Sequence, residues 1–185
     1  GANGIGKTTL LKLLNGEFEG EYSGTISRPS EVDYFPCPLP DGETLTMDAL
    51  SALSGAEEWR IARELSLLGV SDAALYRPFS CLSGGEQTKA LLAAMFLREG
   101  NFLLIDEPTN HLDLPSKICV AEYLRKKESF LLVSHDRDLL DSCTDHILSL
   151  NRTDIEVQVG NFSSWSENTR RTEAFERSRD EKLKK

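Results

Sequence analysis

Apolar residues fall into different rhythms along this chain. From Thr8, residues Leu10, Leu13 and Leu14 recur on one helical face and Asn15-Gly16 follows as a stop, which predicts a first helix. Val32-Asp33-Tyr34-Phe35 and the shorter Gly24-Thr25-Ile26 read as strand pieces, ahead of prolines at 36, 38 and 40. Helical spacing returns from about Thr46 to Leu68 and ends near Gly69. After Leu82-Ser83-Gly84-Gly85-Glu86-Gln87 a further helix carries Ala90, Leu91, Ala94, Met95 and Leu97.

Two later runs do not alternate: Phe102-Leu103-Leu104-Ile105-Asp106 and Phe130-Leu131-Leu132-Val133. Continuous apolar runs fit strands buried on both faces, the mark of a parallel sheet covered by helices. A helix of roughly ten residues starting near Pro115 supplies the crossover between them. Ile155-Glu156-Val157-Gln158-Val159 alternates strictly, so it is expected half-exposed near a sheet edge. From Glu167 the chain is polar and helix-favouring, with Glu173–Arg177, Asp180–Lys184 and Glu181–Lys185 at i,i+4 spacing.

Composition narrows the class. At 185 residues there is room for one domain with a core. No apolar run approaches the roughly 20 residues that cross a bilayer, and no charged-then-apolar leader opens the sequence, so a cytoplasmic protein without membrane insertion is expected. The formal net charge of -9 argues against wholesale nucleic-acid binding. Residues 170–185 run the other way, with seven Arg or Lys against four acids. The four cysteines (Cys37, Cys81, Cys119, Cys143) lie far apart and form no CxxC, which fits reduced thiols better than a zinc or disulfide framework.

The chemistry begins at Gly1-Ala2-Asn3-Gly4-Ile5-Gly6-Lys7-Thr8, which matches the phosphate-binding P-loop pattern. Triphosphate oxygens need several backbone N–H donors at close range, and Gly1, Gly4 and Gly6 carry no Cβ to block them. With Asn3 and Thr9 they form the candidate cradle, backed by the positive end of the following helix. Lys7 would neutralise β/γ-phosphate charge and the Thr8 hydroxyl would ligate Mg²⁺. A glycine-rich turn before an ordinary helix is the plainer reading, and the later motifs weaken it.

Asp106-Glu107 puts two carboxylates at the C-terminal end of a buried strand, where open α/β sheets carry ligands. Asp106 would hold Mg²⁺ and Glu107 would orient and deprotonate an attacking water. Ser134-His135-Asp136 follows the next strand to the same edge, making His135 a candidate γ-phosphate sensor.

These residues resemble a known family. Leu82-Ser83-Gly84-Gly85-Glu86-Gln87 is similar to the signature motif of ATP-binding cassette (ABC) proteins. Asp106-Glu107-Pro108-Thr109-Asn110-His111-Leu112-Asp113 resembles their Walker B and D-loop run, and His135 falls at the switch histidine. The wording "DEPTNHLD" and "SHDRDLLD" is most similar to the ABC-F branch, proteins with two cassettes and a helical linker that act on ribosomes. "LSGGEQTKALLAAMFLRE" resembles the subgroup protecting ribosomes from antibiotics.

The resemblance implies an α/β P-loop NTPase (RecA-like) core with a mainly parallel sheet and an inserted helical subdomain at about 46–98. Residues 1–160 would be the cassette and 161–185 the start of a charged helical linker. It implies ATP and Mg²⁺ as ligands, with a second cassette and the ribosome as partners. Ser83, Gly84 and Gly85 would cap ATP held by the partner cassette. Gln87 and Asp113 belong to the same implied interface, but Gln87 reads equally well as a first-turn helix residue and Asp113 as a helix cap. Cys37 stands where most ABC proteins carry a Q-loop glutamine after an aromatic-Pro pair. The strand expected before the P-loop and an adenine-stacking aromatic are absent from the sequence, which predicts an incomplete sheet and a fragment poorly stable and nearly inactive alone. A transporter ATPase subunit would share the catalytic set but should carry the Q-loop glutamine. A third possibility, an ATP-gated clamp, should carry coiled coils between Lys7 and Ser83, where no sustained heptads occur.

Overall fold

The computed structural model describes residues 6–28, 31–110, 112–151 and 154–183. The P-loop calls on Gly1, Asn3 and Gly4 lie outside them, as does His111 of the D-loop run.

Helix α1 (Lys7–Asn15) starts from Gly6 at φ 101° and stops at Gly16 at φ 84°, both in the left-handed region that glycine tolerates. Its Leu11 is fully buried, and the helix packs against β1 (Glu31–Phe35) and β2 (Asn101–Asp106). With β3 (Phe130–Val133) these strands form a parallel sheet in the order β1-β2-β3. The register sets Tyr34 opposite Leu104 and Asp106 opposite Val133. Parallel strands need long crossovers, and both here are helical.

The first crossover holds α2 (Thr46–Ser54), α3 (Glu58–Leu67), the short α4 (Asp72–Leu75), a 3-10 turn at Phe79–Cys81 and α5 (Gly84–Leu97). The helical pattern expected across Thr46 to Leu68 is thus two helices. Gly55, at φ 68°, ends α2 and turns the chain into α3. Helix α5 is apolar on nearly all sides because it is surrounded: Ala90, Leu92, Ala93 and Ala94 are inaccessible to solvent. It packs against α2 and α3 on one side and β1 on the other, which makes it the centre of the core.

The second crossover is α6 (Leu114–Leu124), one residue earlier in its start than Pro115 suggests. Beyond β3 come α7 (Arg137–Cys143), β4 (His146–Leu150), β5 (Ile155–Val159) and α8 (Phe162–Leu183).

Three local expectations change, and a further strand appears that the apolar pattern did not suggest. Residues 24–26 form no strand. β3 is half-buried along its whole length rather than enclosed, because its outer edge faces an open groove of about 610 Å³ between itself and β4. The strand β4 pairs only with β5, antiparallel, as a separate two-stranded sheet. In β5 every residue but the half-buried Gln158 is exposed, the apolar Ile155, Val157 and Val159 included, and Val157 lines the groove. The alternation is present, but no layer covers its apolar face among the described residues.

Candidate functional site

Parallel strands deliver their C-terminal ends to one edge of a sheet, and that edge collects the acidic pair. β2 ends on Asp106 and the chain turns sharply at Glu107, whose φ of 49° is uncommon for a side chain with a Cβ. The Glu107 amide donates to the Val133 carbonyl at 2.8 Å, so β3 holds this turn in place. Such a backbone costs about 1–3 kcal/mol and persists only where its surroundings impose it.

The Glu107 side chain lies against the loop after β3. Its Oε2 accepts from the His135 amide at 3.2 Å and weakly from the Ser134 hydroxyl at 3.5 Å. Its Oε1 is buried without a hydrogen-bond partner. The His135 Nε2 stands 3.5 Å from Oε1, near enough to attract if protonated but not aligned as a hydrogen bond. A buried carboxylate oxygen left without a donor is costly, so it marks a place where something else belongs.

Lys7 lines the groove beside β3 together with Val133 and Ser134. Ser134 therefore connects the two halves of the expected site, since it shares that groove with Lys7 and donates to Glu107. A Cβ at Gly6 would meet no atom within 4 Å, leaving open space at the start of α1 where phosphate oxygens could approach. Thr8 and Thr9 are exposed in the first turn of α1. A Thr hydroxyl and one carboxylate suit Mg²⁺, which commonly takes one or two protein oxygens and completes its shell with phosphate and water. These features fit a bound magnesium triphosphate.

Asp106 has a partner that the sequence reading missed. The Tyr34 hydroxyl donates to Asp106 Oδ2 at 2.9 Å. Burial and then the adjoining Asp106 push the Tyr34 hydroxyl up to about 12, so it keeps its proton and acts as a donor. The available signal was that both residues sit near the C-terminal ends of expected strand segments. Pairing them required the register.

The signature residues form a separate group at the start of α5. Ser83 caps the helix by accepting from the Glu86 amide at 3.2 Å, and Glu86 Oε2 accepts in return from the Ser83 amide at 2.9 Å. The Ser83 backbone and hydroxyl bonds hold the Glu86 carboxyl below its usual range. Gly84 and Gly85 are the first residues of the helix, and Gly85 lies against Leu112 of the run that follows Glu107. Gln87 donates to the Phe79 carbonyl at 3.2 Å, tying the helix to the preceding 3-10 turn. Asp113 caps α6 by accepting from the Ser116 amide at 3.0 Å, and the bonds to Ser116 hold its carboxyl down. The structure thus gives both open residues a structural contact.

A wrapped parallel sheet with a glycine-led helix at its phosphate edge and two acids at a strand end defines a P-loop nucleoside triphosphatase fold. The family model for "ABC transporter" matches residues 1–110. The chain therefore belongs to the ATP-binding cassette family. It is 35% identical over 182 residues to the ATP-binding protein YdiF of Bacillus subtilis, covering 95% of this chain and 28% of that protein. It is 34% identical over 170 residues to the ribosome protection protein VmlR of the same organism, covering 89% of this chain and 30% of that protein. Among solved structures, a model of ribosome-bound archaeal Pelota and ABCE1 superposes with a TM-score of 0.66 at 30% identity, over 80% of this chain and 26% of that one. The chain spans less than a third of the length of these relatives. YdiF and VmlR are of the ABC-F type. Cassettes of this family bind ATP with Mg²⁺, hydrolyse it and work with a second cassette. No helix among the described residues is long and apolar enough to cross a membrane.

Proposed function

We propose that this chain is the ATP-hydrolysing cassette of an ABC-F type protein, closing on a second cassette to drive a conformational change on the ribosome. The observation that carries the catalytic part is the half-buried Glu107 carboxylate, with its Oε1 buried and unpartnered, on a strained turn beside Ser134 and His135.

In this reading Gly1, Asn3, Gly4, Gly6, Lys7, Thr8 and Thr9 hold the triphosphate, and Thr8 and Asp106 face the magnesium ion. Bound Mg²⁺ would supply neutralisation of charge on the β/γ oxygens. Glu107 accepts a proton from the attacking water through its unpartnered oxygen, and His135 contacts the γ-phosphate from the facing loop. Ser83, Gly84 and Gly85 present the N-terminus of α5 to ATP held by the other cassette, with Gln87 and Asp113 at the same junction. Residues 1–160 act as the cassette, and 161–185 begin a charged connector.

The ribosomal part is supported by the ABC-F relatives, by the ribosome protection protein VmlR and by the likeness to ribosome-bound ABCE1. The test is Glu107→Gln in the intact protein, sedimented with ribosomes in the presence of ATP. Retention of ATP with accumulation in the ribosome fraction is the expected result. Capture by membranes with no ribosome association would instead favour a transporter subunit.

A further inference from the structure

Where family members carry a glutamine, this chain has Cys37, and that thiol is half-buried against the core. The polar group that β1 does bring to the acidic edge comes three residues earlier. Tyr34 pairs with Leu104 in the parallel register, and Asp106 lies two residues further along β2. Residues two apart on a strand share a face, and a diagonal neighbour lies within reach of an aromatic side chain. The Tyr34 ring therefore spans from one strand to the next and sets its hydroxyl 2.9 Å from Asp106 Oδ2.

A strand-end carboxylate with no donor can turn about its χ2 angle. One oxygen held by a donor restricts that freedom and leaves the second oxygen for a metal ion. Second-layer hydrogen bonds of this kind orient metal-binding carboxylates generally. We propose that Tyr34 is a positioning residue for the magnesium-nucleotide site, its hydroxyl holding Asp106 in the rotamer that faces the metal. This inference rests on the assignment of Asp106 to Mg²⁺ made above.

The experiment measures binding of a fluorescent ATP analogue to the intact protein across a magnesium titration and, separately, in EDTA. It compares Tyr34→Phe, Tyr34→His and Asp106→Asn, each checked for a cooperative thermal transition. Tyr34→Phe removes one oxygen and keeps the ring, and it should raise the magnesium concentration for half-maximal binding about tenfold. Nucleotide affinity in EDTA should not change. Tyr34→His, which returns a ring N–H donor, should recover part of the shift and stands in if the Phe variant does not fold. If Asp106→Asn raises the magnesium requirement while both Tyr34 variants match the wild type, Tyr34 only packs and the inference is wrong. If Tyr34→Phe weakens binding equally in EDTA, its role is structural and the inference again fails. If Asp106→Asn itself leaves the requirement untouched, the metal assignment fails first and takes the inference with it.

Discussion

Two glutamates, buried Glu64 and half-buried Glu107, divide this molecule into a part built for stability and a part built for chemistry. Glu64 on α3 accepts at 2.5 Å from both the Tyr123 hydroxyl and the Lys127 ammonium. Lys127 also lies over the Tyr123 and Phe96 rings. Burial pushes the Glu64 carboxyl up, but Lys127 and Tyr123 outweigh it and leave the group below its ordinary range. This cluster pins α3 to α6 through one carboxylate oxygen, Oε2, which accepts both bonds. Glu107 has the reverse arrangement: an uncommon backbone angle, one weakly held oxygen and one oxygen with no hydrogen bond. A residue retained for stability should have its polar atoms satisfied, whereas one retained for reaction keeps an atom free for a substrate.

The sharpest way to break this contrast is to make one substitution at both places. Glu107→Gln should lower ATP hydrolysis by about 10²- to 10⁴-fold, the usual scale for losing a general base, without lowering the thermal midpoint. Hydrolysis within a few-fold of wild type would remove Glu107 from the reaction. Next in size, Lys127→Met should cost about 2–3 kcal/mol in denaturant unfolding, because it leaves a largely buried carboxylate with only the tyrosine hydroxyl. Glu64→Gln keeps shape and the tyrosine contact but loses the ion pair, so about 1–2 kcal/mol is expected, with hydrolysis per folded molecule unchanged. A drop in turnover from Glu64→Gln would show that the two regions are not separable.

The smallest effect is in the pH dependence. The folded-state pKa of Glu64 lies below its unfolded value, so its contribution is complete above about pH 4.3, the unfolded pKa of glutamate. It is lost as pH falls through the folded value. The stability gap between wild type and Lys127→Met should therefore narrow below about pH 4 and stay constant from pH 5 to 8. A constant gap throughout would mean that Lys127 acts through its aliphatic stem over the rings, not its charge.

Motif residues were the most legible part of this protein, since each carries its chemistry in a short run. Glycine before lysine opened α1, the non-alternating run before Asp106 became β2, and Ser83 and Glu86 formed the capping box that their spacing allows. Periodicity failed where cover decides the outcome. The break at Gly55 leaves the apolar spacing on both sides intact, so the pattern could not show two helices. β5 alternates as a half-buried strand should, yet its apolar side chains are exposed.

Local order therefore came from the amino acids themselves: which segments coil, which extend, and where a phosphate loop, an acidic pair and a signature serine occur in succession. Such features depend on neighbours within a few residues, whose sterics and hydrogen bonds the chain carries with it. Only the folded sheet decided that Tyr34 reaches Asp106, that Ser134 lines the same groove as Lys7 and donates to Glu107, and that Glu64 meets Lys127 63 positions away. Those contacts depend on strand register and helix packing, which join segments far apart in the chain and leave no mark on the local pattern of either.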